Sequence, residues 1–431
     1  MTRVAFGTDG IRGPAGTRPI DADVARAVGT AALHLARVTG GSRVVIGRDP
    51  RPSGPALAAS VAGGVSAGVA LDAGVVPTAA VGIAVAEGLA DVGVMVTASH
   101  NPAADNGFKV LGPGGRKLQD TEVEAVEAAI EAALRAPESA SSPARRAPEV
   151  GCLWWERVSQ RVDPAPLRGR KIAIDFANGA AIVAIPWLIE WLDAEIVVVG
   201  AGDGAVNDGC GSEHLQALAA QVRAHGCDGG LAVDGDADRC RLVDERGQVV
   251  PGDAVTMRLA VDLGVDAVVV TVMSNGALEG AMPGVAVIRT PVGDRHIAAQ
   301  MHARGLPLGA EESGHVLFAD HPAGDGLLAG LRAMGAAWRS HRTLSEAFAR
   351  FAPLPRRTGR VVVSERPLLG EVAPLQQAAA RARTTLGDGG RVMLRYSGTE
   401  PVLRILVEGV SDAAVDAALD AVAEAAEAAL R

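Results

Sequence analysis

Residues 230–239 read GLAVDGDADR, a short apolar run that breaks directly into a loop holding three aspartates at alternate positions. A run this short, without polar alternation and closed by turn residues, is the pattern of a strand buried within a layered sheet. Similar runs lie at Arg43–Gly47, Asp91–Thr97, Lys171–Phe176, Glu195–Val199 and Ala267–Val272. Helical patterns fall between them. In Thr121–Arg135 the side chains of Val123, Val126, Ile130 and Leu134 share one face, and Thr121 with Glu124 forms a capping box. Such alternation through the first 330 residues predicts α/β layers with largely parallel, buried strands.

The end of the chain reads differently. Strand-like VVVS (361–364), RVMLRY (391–396) and VLRILVEG (402–409) precede an Ala-rich helix over 411–430, which predicts a small α+β domain. Three breaks divide the whole. RAPESASSPARRAPEV (135–150) is rich in Pro, Ser and charge, a weaker break falls near Pro251, and Ala352–Arg357 sets two prolines beside a basic pair. The segments expected are 1–150, 151–250, 251–354 and 355–431, and no internal repeat is visible.

Composition narrows the function. Hydrophobic residues make up 48% of the 431 and aromatics only 3%, so Val, Ala, Leu and Ile must fill the cores and base-stacking platforms are excluded. A net charge of −9 argues against nucleic acid or an anionic membrane as partner. Cys152, Cys210, Cys227 and Cys240 show no metal-ligand pairing, and the N-terminus MTRVAFGTDGIRG lacks the regions of a secretory signal. A reducing, cytoplasmic setting is the expectation. Residues 52–71, PSGPALAASVAGGVSAGVAL, approach the length of a membrane span but are Gly-, Ala- and Ser-rich, which predicts a helix packed closely on a sheet.

In an extended loop after the strand, Asp234, Asp236 and Asp238 point the same way and converge three hard oxygen ligands on one divalent cation. An EF-hand is a poor match, because Arg239 stands where its sixth position needs Gly. An aspartyl-phosphate phosphatase shares the DxDx pattern but usually has Thr or Val at the fifth position. TASHNPAADNGFK (97–109) sets Ser99 and His100 at a strand end, where α/β sheets place their sites; read alone, Ser99 fits a plain turn equally well. Phosphorylated, it would carry nearly two negative charges for the cation to offset. Lys109 suits a general acid/base, provided its pKa is lowered. GAEESGH (309–315) is a polar loop fit for sugar hydroxyls, and RYSGTEP (395–401) with Arg404 offers a guanidinium fork and turn donors fit for phosphate.

FGTDGIRG (6–13), TASHNP, DGDADR, GAEESGH and RYSGTEP together resemble the α-D-phosphohexomutase family, in family order and across almost the whole chain. VNDGCGSEH (206–214), TVMSN (271–275) and PVGDR (291–295) look most like its phosphoglucosamine mutase branch. Ala237, Thr97, Ala310, Tyr396 and Glu213 depart from that branch's usual residues at flanking positions, which bears on the sugar and not on the reaction.

The resemblance implies three similar α/β domains with mixed sheets and a smaller C-terminal α+β domain around a central cleft. It implies interconversion of glucosamine 6-phosphate and glucosamine 1-phosphate, with glucose or mannose phosphates as the sister reading and a Mg²⁺-dependent sugar phosphatase as a distant one. Ser99 would be the phosphoserine and, with Asp234, Asp236 and Asp238, would hold one Mg²⁺. Arg12, Arg239 and His100 would steady charge at the transfer site, and Lys109 and His315 would move protons. Glu311 and Ser313 would bind ring hydroxyls, while Arg395, Ser397, Gly398, Thr399 and Arg404 would grip the second phosphate. A hexosamine bisphosphate or a kinase would prime Ser99, and the protein would be a monomer or homodimer whose partner is the phosphosugar.

Overall fold

The computed structural model describes residues 4–7, 9–135, 143–202, 204–340, 342–387, 389–397 and 401–430. The chain divides into two compact units, Met1–Met273 with Val285–Arg350 and Ser274–Gly284 with Phe351–Arg431.

The larger unit holds three sheets. The first runs, edge to edge, Ile11–Pro14, Asp105–Leu111, Val92–Val96, Arg43–Arg48, Val69–Val75 and Arg145–Arg146. The second runs Val249–Val250, Cys240–Asp244, Gly229–Val233, Lys171–Asp175 and Glu195–Val199. The third runs Ala286–Thr290, Ala267–Thr271, Leu308–Ala310 and Val316–Phe318. All three are mixed and share one plan. In each, four strands follow that plan, in the first sheet Arg43–Arg48, Val69–Val75, Val92–Val96 and Asp105–Leu111: the earliest in the chain lies between the next two, all parallel, and the last is antiparallel to the third. Parallel neighbours need crossovers, whereas the third and fourth strands are joined by a short connection. That connection is 97–104 in the first sheet, 234–239 in the second and 311–315 in the third. The sequence motifs occupy these three connections, at the point where each sheet changes direction.

Valine and isoleucine bury the sheets; Val92–Val96, for example, is buried at every position. The helix begins at Asp120, one residue before Thr121, so the expected Thr121–Glu124 box does not form. Glu122 instead reaches back to accept from Gln119 N at 2.8 Å. Part of the expected linker, 136–142, lies outside the described residues, but Arg145–Arg146 adds to the first sheet beside Leu71–Asp72 and a helix follows from Glu149. Charge is tolerated there because the pair forms an exposed sheet edge.

The apolar stretch 52–71 splits into the helix Gly54–Gly64 and the start of the strand Val69–Val75. Among the described residues no helix is long and apolar enough to cross a membrane. The helix packs most intimately on another helix, Ala22–Val38, where Gly29 and Gly64 leave no room for a methyl group against the opposite backbone.

The smaller unit is an antiparallel sheet in the order Arg356–Val362, Val402–Glu408, Arg391–Tyr396, backed by helices Ala373–Leu386 and Asp412–Leu430. The first helix, with its weak apolar pattern, was not anticipated. Buried Glu408 ties the unit together, pairing with Arg356 at 3.0 Å and Arg391 at 2.8 Å and accepting from Gly276 N at 2.7 Å.

Gly→Ala inside a helix ordinarily stabilises by about 0.5–1 kcal/mol. At Gly29 the new methyl would meet the Val61 carbonyl, and over-packing of this kind costs about 1–3 kcal/mol. Gly29→Ala is expected to lower the unfolding free energy in urea; a neutral or stabilising result would contradict the helix contact.

Candidate active site

The loop 234–239 is a tight turn, not the extended segment expected: Ala237 N donates to Asp234 O at 2.9 Å and Ala237 adopts φ 60°. The three carboxylates still converge, because the left-handed residue turns the chain between Asp236 and Asp238. One oxygen from each of Asp234, Asp236 and Asp238 lies within 4.8 Å of the others, and all three residues are buried. Asp234 Oδ1 accepts from Arg239 N at 3.2 Å, and Asp236 Oδ2 from Thr78 Oγ1 at 2.5 Å. Asp236 Oδ1 and Asp238 Oδ1 have no hydrogen-bond partner among the described residues. Buried carboxylate oxygens left over from an otherwise satisfied network fit a hard divalent cation. Burial, then Asp238 and Asp236, push Asp234 well above the usual carboxylate value.

Ser99 faces this turn. Its hydroxyl donates to Asp234 Oδ2 at 2.6 Å and lies 3.2 Å from His100 Nδ1. Burial, Arg239 and Arg12 lower His100 to about 4, so the ring is neutral near pH 7. Ser99 itself holds φ 52° and is wholly buried. Its N–H donates to Thr97 Oγ1 at 2.8 Å, and that hydroxyl donates to Asp49 Oδ2 at 2.7 Å. Thr97 thus braces the Ser99 backbone.

Lys109, on the strand opposite Met95, reaches Asp236 at 2.7 Å, Asp9 at 2.8 Å and, closer still, Asp238. Burial alone would lower its pKa, but Asp236, Asp238 and Asp9 outweigh burial and raise it well above the ordinary value. The lowered pKa expected of a general base is therefore not found. Charges alternate onward: Lys117 bridges Asp9 and Asp294, at 2.9 Å from the latter, and Asp294 Oδ2 lies 3.5 Å from His315 Nε2. Arg12 pairs with Asp9 at 2.8 Å.

The hairpin 311–315 is closed by Glu311 N donating to His315 O at 2.8 Å. It leans on the neighbouring sheet through a bridge between Arg239 and His315, with Cys240 N donating to Gly314 O at 2.9 Å. Glu311 accepts from Gly293 N at 3.1 Å, and Ser313 Oγ lies 3.4 Å from its other oxygen. A cavity of about 380 Å³ opens here, lined by Asp9, Arg239, Arg241, Asp294, Glu311, Ser313 and His315 among others, within the size range of small-molecule sites.

In the smaller unit, the sheet register sets Arg360, Arg404 and Arg395 side by side across three strands. Like charges directly opposite one another on a sheet are unfavourable by themselves. Ser397 is buried and its N–H donates to Val402 O at 2.9 Å. Gly398 and Thr399 lie outside the described residues.

Four family models match in succession: phosphoglucomutase/phosphomannomutase α/β/α domains I, II and III over residues 3–136, 154–247 and 251–354, and the C-terminal domain over 360–425. The chain belongs to the phosphoglucomutase/phosphomannomutase family. It is 40% identical over 441 residues to a phosphoglucosamine mutase of Symbiobacterium thermophilum, covering 97% of this chain and 98% of the relative. A phosphoglucosamine mutase of Frankia casuarinae is 43% identical over 444 residues, with 96% and 95% covered. The crystal structure of a phosphoglucomutase/phosphomannomutase family protein from Burkholderia thailandensis superimposes with a TM-score of 0.83 at 26% identity, covering 100% of this chain and 98% of that one.

Around the aspartate turn of the larger unit, Asp9, Thr78, Lys117 and Asp294 escaped sequence reasoning. Asp9 lies inside FGTDGIRG and Asp294 inside PVGDR, so both were within reach; Thr78 and Lys117 carry no local signal. Lys109 is the strongest buried counter-charge to the aspartates. Lys109→Met is expected to cost about 3–5 kcal/mol of unfolding free energy at pH 7. Despite burial, Lys109 leads other cations in holding Asp238 below the usual value, and with Lys117 and Arg12 it does the same for Asp9. Stability from such depressed carboxylates is full above their unfolded pKa of about 4 and is lost as pH falls. The variant's deficit should therefore shrink toward acid; a deficit independent of pH between about 7 and 3 would contradict the charge account.

Proposed function

We propose that the protein interconverts glucosamine 6-phosphate and glucosamine 1-phosphate through a phosphorylated Ser99 and a sugar bisphosphate. It is an isomerase of the phosphohexomutase type, an intramolecular phosphotransferase. The observation that carries the mechanism is the Ser99 hydroxyl directed at Asp234, 2.6 Å away, on a buried triad with unsatisfied oxygens. The glucosamine assignment rests on the relatives named above.

In the first half-reaction the P–Oγ bond of phospho-Ser99 breaks and a P–O bond to the free sugar hydroxyl forms. The hydroxyl proton passes to a base, and Oγ keeps the electron pair. The bisphosphate then turns end over end and returns its other phosphoryl group to Oγ, while the leaving sugar oxygen takes up a proton. Mg²⁺ held by Asp234, Asp236, Asp238 and phospho-Ser99 supplies charge neutralisation. Arg12, Arg239 and the neutral ring of His100 surround the transferring group. Lys109, held protonated, suits charge stabilisation, and His315 beside Asp294 suits proton transfer. Glu311 and Ser313 meet ring hydroxyls; Arg395, Ser397, Gly398, Thr399 and Arg404 hold the phosphate not in transfer.

On this reading segments 1–150, 151–250, 251–354 and 355–431 contribute the phosphoserine, metal, sugar and phosphate loops in turn. A hexosamine bisphosphate or a kinase primes the enzyme, which works in the cytoplasm without nucleic acid or membrane.

The test uses primed protein with Mg²⁺ and, separately, the 1-phosphates of glucosamine, glucose and mannose. The highest kcat/KM for 6-phosphate formation is expected with glucosamine, and Ser99→Ala and EDTA should each abolish turnover. Preference for glucose or mannose would move the sugar assignment, and free phosphate release by Ser99→Ala would overturn the mutase reading.

A further inference from the structure

The Ser99 loop is held by its carbonyls. Arg51, wholly buried, donates through Nη2 to Ser99 O at 2.9 Å and Asn101 O at 2.7 Å, and through Nη1 to Asp105 O at 2.9 Å. Its Nε donates to Asp49 Oδ2 at 2.9 Å, the oxygen that also accepts from Thr97. Arg51 follows strand Arg43–Arg48 of the sheet that carries the loop. Asn207 follows strand Glu195–Val199 of the next sheet, and its Nδ2 donates to the same two carbonyls, Ser99 O at 2.7 Å and Asn101 O at 3.1 Å.

Asn207 is anchored to the sheet that carries the aspartate turn. Its N–H donates to Ala177 O at 2.9 Å. Buried Asp175, at the end of strand Lys171–Asp175, accepts from Ala177 N at 2.9 Å and Gly211 N at 2.8 Å, and Ser212 N donates to Val233 O at 3.0 Å. Val233 is the last strand residue before Asp234. The segment that carries Asn207 is thus tied to the C-terminal ends of the parallel strands Lys171–Asp175 and Gly229–Val233, the second of which runs into the aspartate turn. A methyl on Gly235 would stand 2.7 Å from Ser99 O, so the two loops already meet backbone to backbone.

We propose that Asn207 is a positioning residue for phosphoryl transfer: it registers the Ser99 loop against the aspartate turn by holding the Ser99 and Asn101 carbonyls. This rests on the mutase reading. Ser99 holds a left-handed backbone, a conformation that persists only where its surroundings over-determine it. Arg51 fixes the loop within its own sheet, whereas Asn207 fixes it relative to the metal-binding residues. Asn207 touches no reacting atom, so its contribution is geometric. Substrate capture, by the hairpin 311–315 and the arginine row, does not pass through it.

The backbone makes a clean test available. Asn207 sits at φ 62°, where Gly is unstrained and Asp is tolerated. Asn207→Gly deletes both hydrogen bonds without backbone strain; Asn207→Asp keeps the shape but replaces the donor with an oxygen that repels both carbonyls. With glucosamine 1-phosphate and Mg²⁺, kcat of each is expected to fall about 10- to 100-fold with KM within about two-fold, a displacement on the order of 1 Å being enough. Hydrogen exchange of peptides spanning 97–106 in the unliganded protein should quicken in both, while the thermal midpoint moves by less than about 4 °C. Unchanged kcat, or a loss carried by KM, would overturn the proposal. So would unchanged exchange, or a fall in activity matched by global destabilisation. Wild-type protein inactive on all three sugar phosphates would instead sink the mutase reading, and the exchange measurement would still decide whether Asn207 holds the loop.

Discussion

Three aspartate carboxylates packed into one buried turn are the constraint on which the larger unit depends. Carboxylates removed from water are unfavourable unless each is paired or bonded. The turn itself supplies little beyond the Arg239 N–H. Lys109, Ser99 and Thr78 come from the first sheet, and His315 on the third packs beside Arg239. Folding of the three sheets is thereby coupled to the chemistry of one loop. The charges beyond it alternate in sign through Asp9, Lys117 and Asp294.

The three sheets deliver their groups by one device repeated. Each holds three parallel strands and an antiparallel strand joined to the last of them, with one of the motif loops at that reversal. A short reversal leaves few backbone hydrogen bonds to the ladder, so side chains from neighbouring sheets must complete it. Thr78 reaches from the first sheet to the aspartate turn, donating through its N–H to Asp236 O at 3.0 Å, and Asn207 reaches back from the second to the serine loop. Ser99 and Ala237 both occupy left-handed conformations unusual for residues with side chains. Strain of about 1–3 kcal/mol per such residue is sustained because each loop is gripped from two sides.

The smaller unit solves a different problem with a different sheet. Buried Glu408 neutralises Arg356 and Arg391 inside the unit, while Arg360, Arg404 and Arg395 align across its exposed face. The first set holds the unit together through that carboxylate.

Much was decided locally. The strands Glu195–Val199 and Arg391–Tyr396 match the expected residues one for one, because a continuous β-branched or apolar run has few alternatives as a strand. The aspartates were legible because their spacing is chemical and survives without neighbours, whereas Ser99 alone fits a plain turn equally well and drew its reading from the family resemblance. The repeated topology was invisible in sequence: strand order is set by crossovers and packing, which different apolar residues satisfy equally well. Thr121 missed its capping role because the Arg116–Glu122 pair, at 2.7 Å, draws the carboxylate that closes the helix start from a neighbouring position. An acid/base role for Lys109 carried the condition of a lowered pKa, and the assembled sheets raise it instead by bringing three carboxylates to one ammonium. Residue type and spacing therefore determined which groups do chemistry, while the field each group feels was decided by tertiary structure, since Coulomb energies depend on distances between residues far apart in the chain.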